Sequence, residues 1–168
     1  MKKMFAMLAA MIFAGVGAVE FYIPAKDMSY DTDDWGCSTS GVLVSKKPKV
    51  VASGSYAAPA AGKYTVWVNT ETRNEGWRKG QIKINGAPFG KFGDEKMKDY
   101  TEPKGYWKKM LMPFEVKAAG EIIKIEIVDA GKSSVRFGGV ILSDNPAFDP
   151  AKFDGNVRED LDALENAE

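Results

Sequence analysis

The chain has 168 residues, 23 basic and 23 acidic side chains, a single cysteine and no histidine. The missing histidine excludes Ser-His-Asp and Cys-His catalysis, and with one cysteine it also excludes an ordinary structural zinc site. Balanced charge offers no electrostatic basis for nucleic acid binding, which needs a clear basic excess.

Lys2 and Lys3 precede an apolar run, Met4 to Val16, and small residues follow at Val16-Gly17-Ala18. This pattern reads as a secretory signal peptide over residues 1–18, cleaved after Ala18, with a periplasmic or extracellular destination. The run is shorter than the roughly 20 residues of a spanning helix, so no membrane span is expected. Cleavage would remove two of the 23 basic residues, leaving 21 against 23 acidic ones. Cys37, with no partner for an intramolecular disulfide, reads as a small buried apolar side chain.

From residue 19 onward, period-two alternation of apolar and polar residues dominates. Strands are expected at 19–25, 41–45, 50–57, 63–70, 80–85, 88–92, 106–116, 121–128 and 135–142. Between the first two lies a polar, turn-rich segment, 27–40, carrying Trp35, Asp31, Asp33 and Asp34. Asn85-Gly86 supplies the positive φ that a tight hairpin requires. About eight strands without a long helix indicate an all-β fold, an antiparallel β-sandwich of jelly-roll type. Tyr64, Val66 and Val68 share one face of their strand and Trp67 lies on the other. A covering loop or a sugar-stacking role are the two fates open to that indole. Met110, Met112, Phe114 and Val116 share a face, as do Ile123, Ile125 and Ile127, and a one-residue slip would turn either set outward. The domain is expected over 19–150. Residues 151–168 form an acidic tail, either a short helix or disordered.

Alternating strand direction places the connections 46–49, 70–78, 93–105 and 129–134 at one end of the sandwich. The short turns 58–62, 85–86 and 117–120 fall at the other. Long irregular connections are costly to order and are retained where something is bound. The crowded end carries Arg73, Asn74, Trp77, Arg78, Tyr100, Tyr106 and Trp107, with Lys46, Lys47 and Lys49 nearby. An aromatic face lies well against the C–H surface of a pyranose, and arginine or asparagine addresses its hydroxyls. The same rings would serve equally as plugs over the core. Asp94, Glu95, Asp99 and Glu102 supply carboxylates of the kind glycoside hydrolysis uses. They sit among lysines with no apolar run to raise a carboxyl pKa, so a solvated loop is the expectation and no enzymatic activity is assigned.

The run Gly62-Lys63-Tyr64-Thr65-Val66-Trp67-Val68, preceded by Tyr56-Ala57-Ala58-Pro59, resembles a strand of galactose-binding-like β-sandwiches. The run 135–146, with Phe148 and Pro150, is similar to their final strand and exit. The resemblance spans about residues 41–150 and includes carbohydrate-binding modules appended to secreted bacterial polysaccharide-degrading enzymes. It implies a secreted, non-catalytic carbohydrate-binding protein that recognises a polysaccharide or glycan. A secreted enzyme or an envelope protein is then the implied partner. The alternative is a structural or adhesive cell-envelope protein using the sandwich as a scaffold. Many such proteins hold calcium through a Glu pair on the first strand and an Asp near the last. Here Glu20 stands alone, with Tyr22 two residues on, and residue 138 is glycine, which leaves calcium unassigned. Asp31, Asp33 and Asp34 are the substitute oxygen ligands the sequence offers.

Overall fold

The computed structural model describes residues 11–15, 18–39, 41–70, 79–93, 107–131 and 135–153. In chain order the strands are β1 (Met11–Gly15), β2 (Ala18–Pro24), β3 (Trp35–Cys37), β4 (Leu43–Ser45), β5 (Val51–Ala57) and β6 (Gly62–Thr70). They continue as β7 (Gly80–Ile84), β8 (Ala87–Phe92), β9 (Trp107–Lys109), β10 (Phe114–Val116), β11 (Ile122–Asp129) and β12 (Arg136–Ser143). Among the described residues they form one eight-stranded and one four-stranded sheet, every pairing antiparallel. The all-β sandwich expected from the alternation is the observed fold.

The strand number exceeds eight for local reasons. The expected strand 106–116 is two, β9 and β10, each pairing with β6 on either side of an irregular Met110–Pro113. That break corrects the face assigned there: Met110 and Val116 are buried, but Met112 is 57 % exposed and Leu111 fully so. The segment 27–40 contributes β3, whose Trp35 is buried in the core. Met11–Gly15, inside the expected signal peptide, pairs with β2 across the residue at which cleavage is expected. Cys37 is exposed rather than buried, because β3 turns its third residue outward.

β12 is the organising strand. β6 pairs along one side of it, while the other side is shared by β2 at 139–143 and β4 at 136–137. All eight of its residues are buried. Between Phe137 and Gly139, where the neighbour on the other side changes from β4 to β2, the register with β6 shifts. A Cβ on Gly139 would stand 2.7 Å from the Ile23 carbonyl oxygen and from the Tyr22 ring, so the strands could not close with a larger residue.

Phe137, Val140 and Leu142 point towards the small sheet, meeting Tyr64, Val66 and Val68 of β6 and Ile123, Ile125 and Ile127 of β11 in one apolar core. Burial of an aliphatic side chain of this size stabilises by about 1.5–3 kcal/mol, so this layer carries the sandwich. Asn85 at φ 50° and Gly86 at φ 80° make the expected hairpin turn between β7 and β8.

The outer face of the large sheet has a second apolar layer. Tyr22, Val42, Trp67, Trp107 and Ile141 are covered there by the chain that leaves β12, with Phe153 buried among them. Phe148 meets Trp67 edge-on at 6.2 Å and Phe153 at 6.2 Å, and Phe153 meets Tyr22 at 5.2 Å. Pro150–Lys152 forms one 3-10 turn that delivers Phe153. Residues up to 153 thus pack on the sheet, and the rest of the acidic tail lies outside the described residues.

At one end the two sheets are tied by Asp129, which is fully buried. Its carboxylate accepts hydrogen bonds from Ser45 Oγ and from the Gly131 amide, and Ser45 Oγ accepts one from the Val135 amide at 2.8 Å. Asp129→Ala should therefore lower unfolding free energy by about 2–3 kcal/mol, because Ser45 and Gly131 lose a shared buried acceptor; denaturant titration measures it. Phe153→Ala should cost about 3 kcal/mol and make Trp67 accessible to acrylamide, seen as increased fluorescence quenching.

Candidate functional site

Strand direction decides which connections meet. Asp129 of β11 pairs with Gly80 of β7, and Gly80 pairs with Phe92 of β8. The Lys49 amide donates to the Asp129 carbonyl at 3.0 Å, and the Ala130 amide to the Lys79 carbonyl at 2.8 Å. In the large sheet Thr70 pairs with Phe137, and Asn69 with Trp107. The chain ends flanking 71–78, 94–106 and 132–134, together with the 46–49 turn, thus open at one pole of the sandwich. At the other pole Ala58 donates to Glu121, Gly120 to Ala58, and Asn85 to Lys124, joining the three short turns.

Of the candidate binding residues, Arg73, Asn74, Trp77, Arg78, Tyr100 and Tyr106 lie outside the described residues, as do Asp94, Glu95, Asp99 and Glu102. Trp107 is described. It opens β9 at the crowded pole and is 4 % exposed, packed with Trp67 on the outer face of the large sheet. In this conformation its ring backs the pole from beneath and offers no free face.

Trp67 is also closed off, at 8 % exposure, between Phe148 and the Lys109 ammonium, which lies 5.6 Å from its ring centre. Asn69, two residues along the same face, is fully buried. Neither of its amide atoms, nor the indole N–H of Trp67 or Trp107, has a hydrogen-bond partner among the described residues. Alternation placed Asn69 on this face with Trp67. Its burial was not legible, because the segment that covers the face is distant in sequence.

Two of the three lysines expected at the crowded pole are occupied by the acidic turn. Lys46 Nζ donates to the Thr32 carbonyl at 2.8 Å, and Lys47 Nζ pairs with Asp34 at 3.1 Å. The hydrogen bond and charge of Asp34 raise the Lys47 ammonium above its ordinary pKa. Asp31 Oδ1 accepts the Asp33 amide at 2.9 Å, and its carbonyl accepts the amides of Asp34 and Trp35. The trio Asp31, Asp33 and Asp34 is thus arranged as a turn that aims Trp35 into the core. Among the described residues no three acidic or cysteine side chains converge as a metal site would require. Glu20 and Gly138 do not remake the calcium pattern, since Gly138 brings only its carbonyl, 3.4 Å from the Tyr22 hydroxyl.

No family model matches the sequence, and no curated protein matches it. The solved structures with a similar backbone are mostly carbohydrate-binding modules. One is the CBM36-1 domain of a multidomain xylanase from the hindgut metagenome of Trinervitermes trinervoides. It is 14 % identical, with a TM-score of 0.48 over 73 % of this chain and 95 % of that one. A family 35 carbohydrate binding module from an environmental isolate is 12 % identical, with a TM-score of 0.46 over 82 % and 89 %. The C-terminal CBM6 of LamC from Zobellia galactanivorans is 11 % identical, with a TM-score of 0.49 over 73 % and 98 %. A family two carbohydrate esterase from Cellvibrio japonicus also aligns, at 14 % identity and a TM-score of 0.48, over 34 % of its own length. At these identities and scores the likeness is one of strand arrangement.

Proposed function

We propose that this protein is a secreted, non-catalytic glycan-binding module whose ligand is held at the crowded pole of the sandwich. The observation that carries the reading is the grouping of its long connections, whose flanking strand ends meet around Asp129, Gly80 and Phe92, while the turns 58–62, 85–86 and 117–120 at the opposite pole are short. Rigid strand ends under long connections are the usual setting of recognition loops. Arg73, Asn74, Trp77, Arg78, Tyr100 and Tyr106 are the proposed contacts, with Trp107 as their support. Aromatic rings and forked hydrogen-bond donors in that number suit a neutral polysaccharide chain. The expected destination follows from the signal-like residues 1–18, and a secreted enzyme or an envelope protein is the proposed partner.

Native affinity electrophoresis of the full chain through gels containing plant and microbial polysaccharides tests the reading. Retardation is expected with at least one polymer. Trp77→Ala and Arg78→Ala should each weaken it about three- to tenfold, the size of one lost ring or forked contact, with thermal unfolding unchanged. An absence of retardation on every polymer would favour the scaffold role instead. Reducing-sugar release that disappears in Asp99→Asn or Glu102→Gln would overturn the non-catalytic assignment.

A further inference from the structure

Away from the crowded pole, a cavity of about 300 Å3 opens on the outer side of the large sheet between β2 and the chain that leaves β12. Glu20, Asn145, Phe148, Asp149, Lys152 and Phe153 line it. Its apolar wall is fixed: the half-buried Phe148 ring is set edge-on against both Trp67 and Phe153. Its polar wall mixes acceptors and donors. Glu20 comes from β2, at the position paired with Ser143, and its half-buried carboxylate has no hydrogen bond or ion pair among the described residues. Asn145 is oriented by its own turn, with Oδ1 accepting the Ala147 amide at 2.9 Å, and its NH2 group has no hydrogen-bond partner among the described residues. Lys152 and Asp149 sit 3.6 Å apart with exposed side chains, an ion pair of the kind worth little in water.

We infer that this cavity is a second binding site, for one neutral sugar residue or a small polyol of that size. A volume of about 300 Å3 is at the lower limit of small-molecule pockets, which excludes an extended oligomer lying wholly within it. Two carboxylates and one ammonium make the wall net negative, which disfavours an anionic ligand. Carboxylate acceptors beside amide and ammonium donors match the paired donor and acceptor character of adjacent hydroxyls, and the Phe148 ring supplies the flat apolar surface that the C–H side of a sugar needs. The site does not depend on the glycan reading of the crowded pole, because it shares no residue with it.

Two-dimensional amide NMR of the full chain, titrated separately with methyl glycosides of neutral hexoses and pentoses, with glucosamine and with glucuronate, tests the inference. Saturable shifts are expected at residues 20, 145, 148 and 152 with a neutral glycoside, at millimolar concentration. Glu20→Gln keeps the side-chain shape, and Asn145→Asp keeps the turn acceptor while losing the NH2 donor. Each should weaken binding at least fivefold without changing thermal stability. Trp77→Ala should leave these shifts intact, so the two sites succeed or fail separately. Tighter binding of glucuronate or glucosamine than of every neutral glycoside, or shifts unaltered in both Glu20→Gln and Asn145→Asp, would overturn the proposal, as would no saturable shift at these positions.

Discussion

The structure depends on a strand that has no wet side. All eight residues of β12 are buried, so both faces of the large sheet must be covered. A half-solvated antiparallel sheet needs apolar cover on one face only. Here the small sheet supplies the inner cover through β5, β7 and β11, and residues 144–153 supply the outer one. Three consequences follow. Residues 144–153 become part of the packed sandwich, Trp67 and Trp107 become core residues of a second layer, and residue 139 must be glycine where β2 closes on β12.

The outer layer is less well satisfied than the inner one. Asn69 is fully buried with both amide atoms unpartnered, and two indole N–H groups beside it are in the same condition. Each such group forfeits about 1–3 kcal/mol relative to a paired one. The inner core has two such groups, the Trp35 indole N–H and the Tyr56 hydroxyl, within a continuous set of aliphatic and aromatic side chains. The outer layer is the one that borders the cavity at Glu20 and Asn145.

Much of this was legible in the sequence where a side chain's fate is set by its own strand. Ile123, Ile125 and Ile127 announce a half-buried strand by strict alternation, and Asn85-Gly86 announces its turn because few residue pairs tolerate positive φ twice. Antiparallel pairing then settles which connections share a pole. Legibility ended where distant segments decide the outcome. Nothing local to 106–116 reveals that β6 is paired twice across an interruption, so Met112 reads as core and is exposed. Trp67 reads as a ring on the outer face with covering or stacking both open, and Phe148, some eighty residues later, decides for covering together with Lys109. Glu20 reads as a remnant of a metal pattern, while its neighbours in space are Asn145 and Asp149, brought to it by the return of the chain over the sheet.

The tie made by Asp129 and Ser45 has a bearing on how such a protein changes over time. It clamps the bases of the irregular connections with buried hydrogen bonds and backbone pairing, so that the strands beneath feel little of what happens above. Residues can be inserted, deleted or exchanged in those connections while the folding problem stays solved. A scaffold of this kind separates inheritance of architecture from change at its rim: descendants keep the frame while one connection at a time is rebuilt.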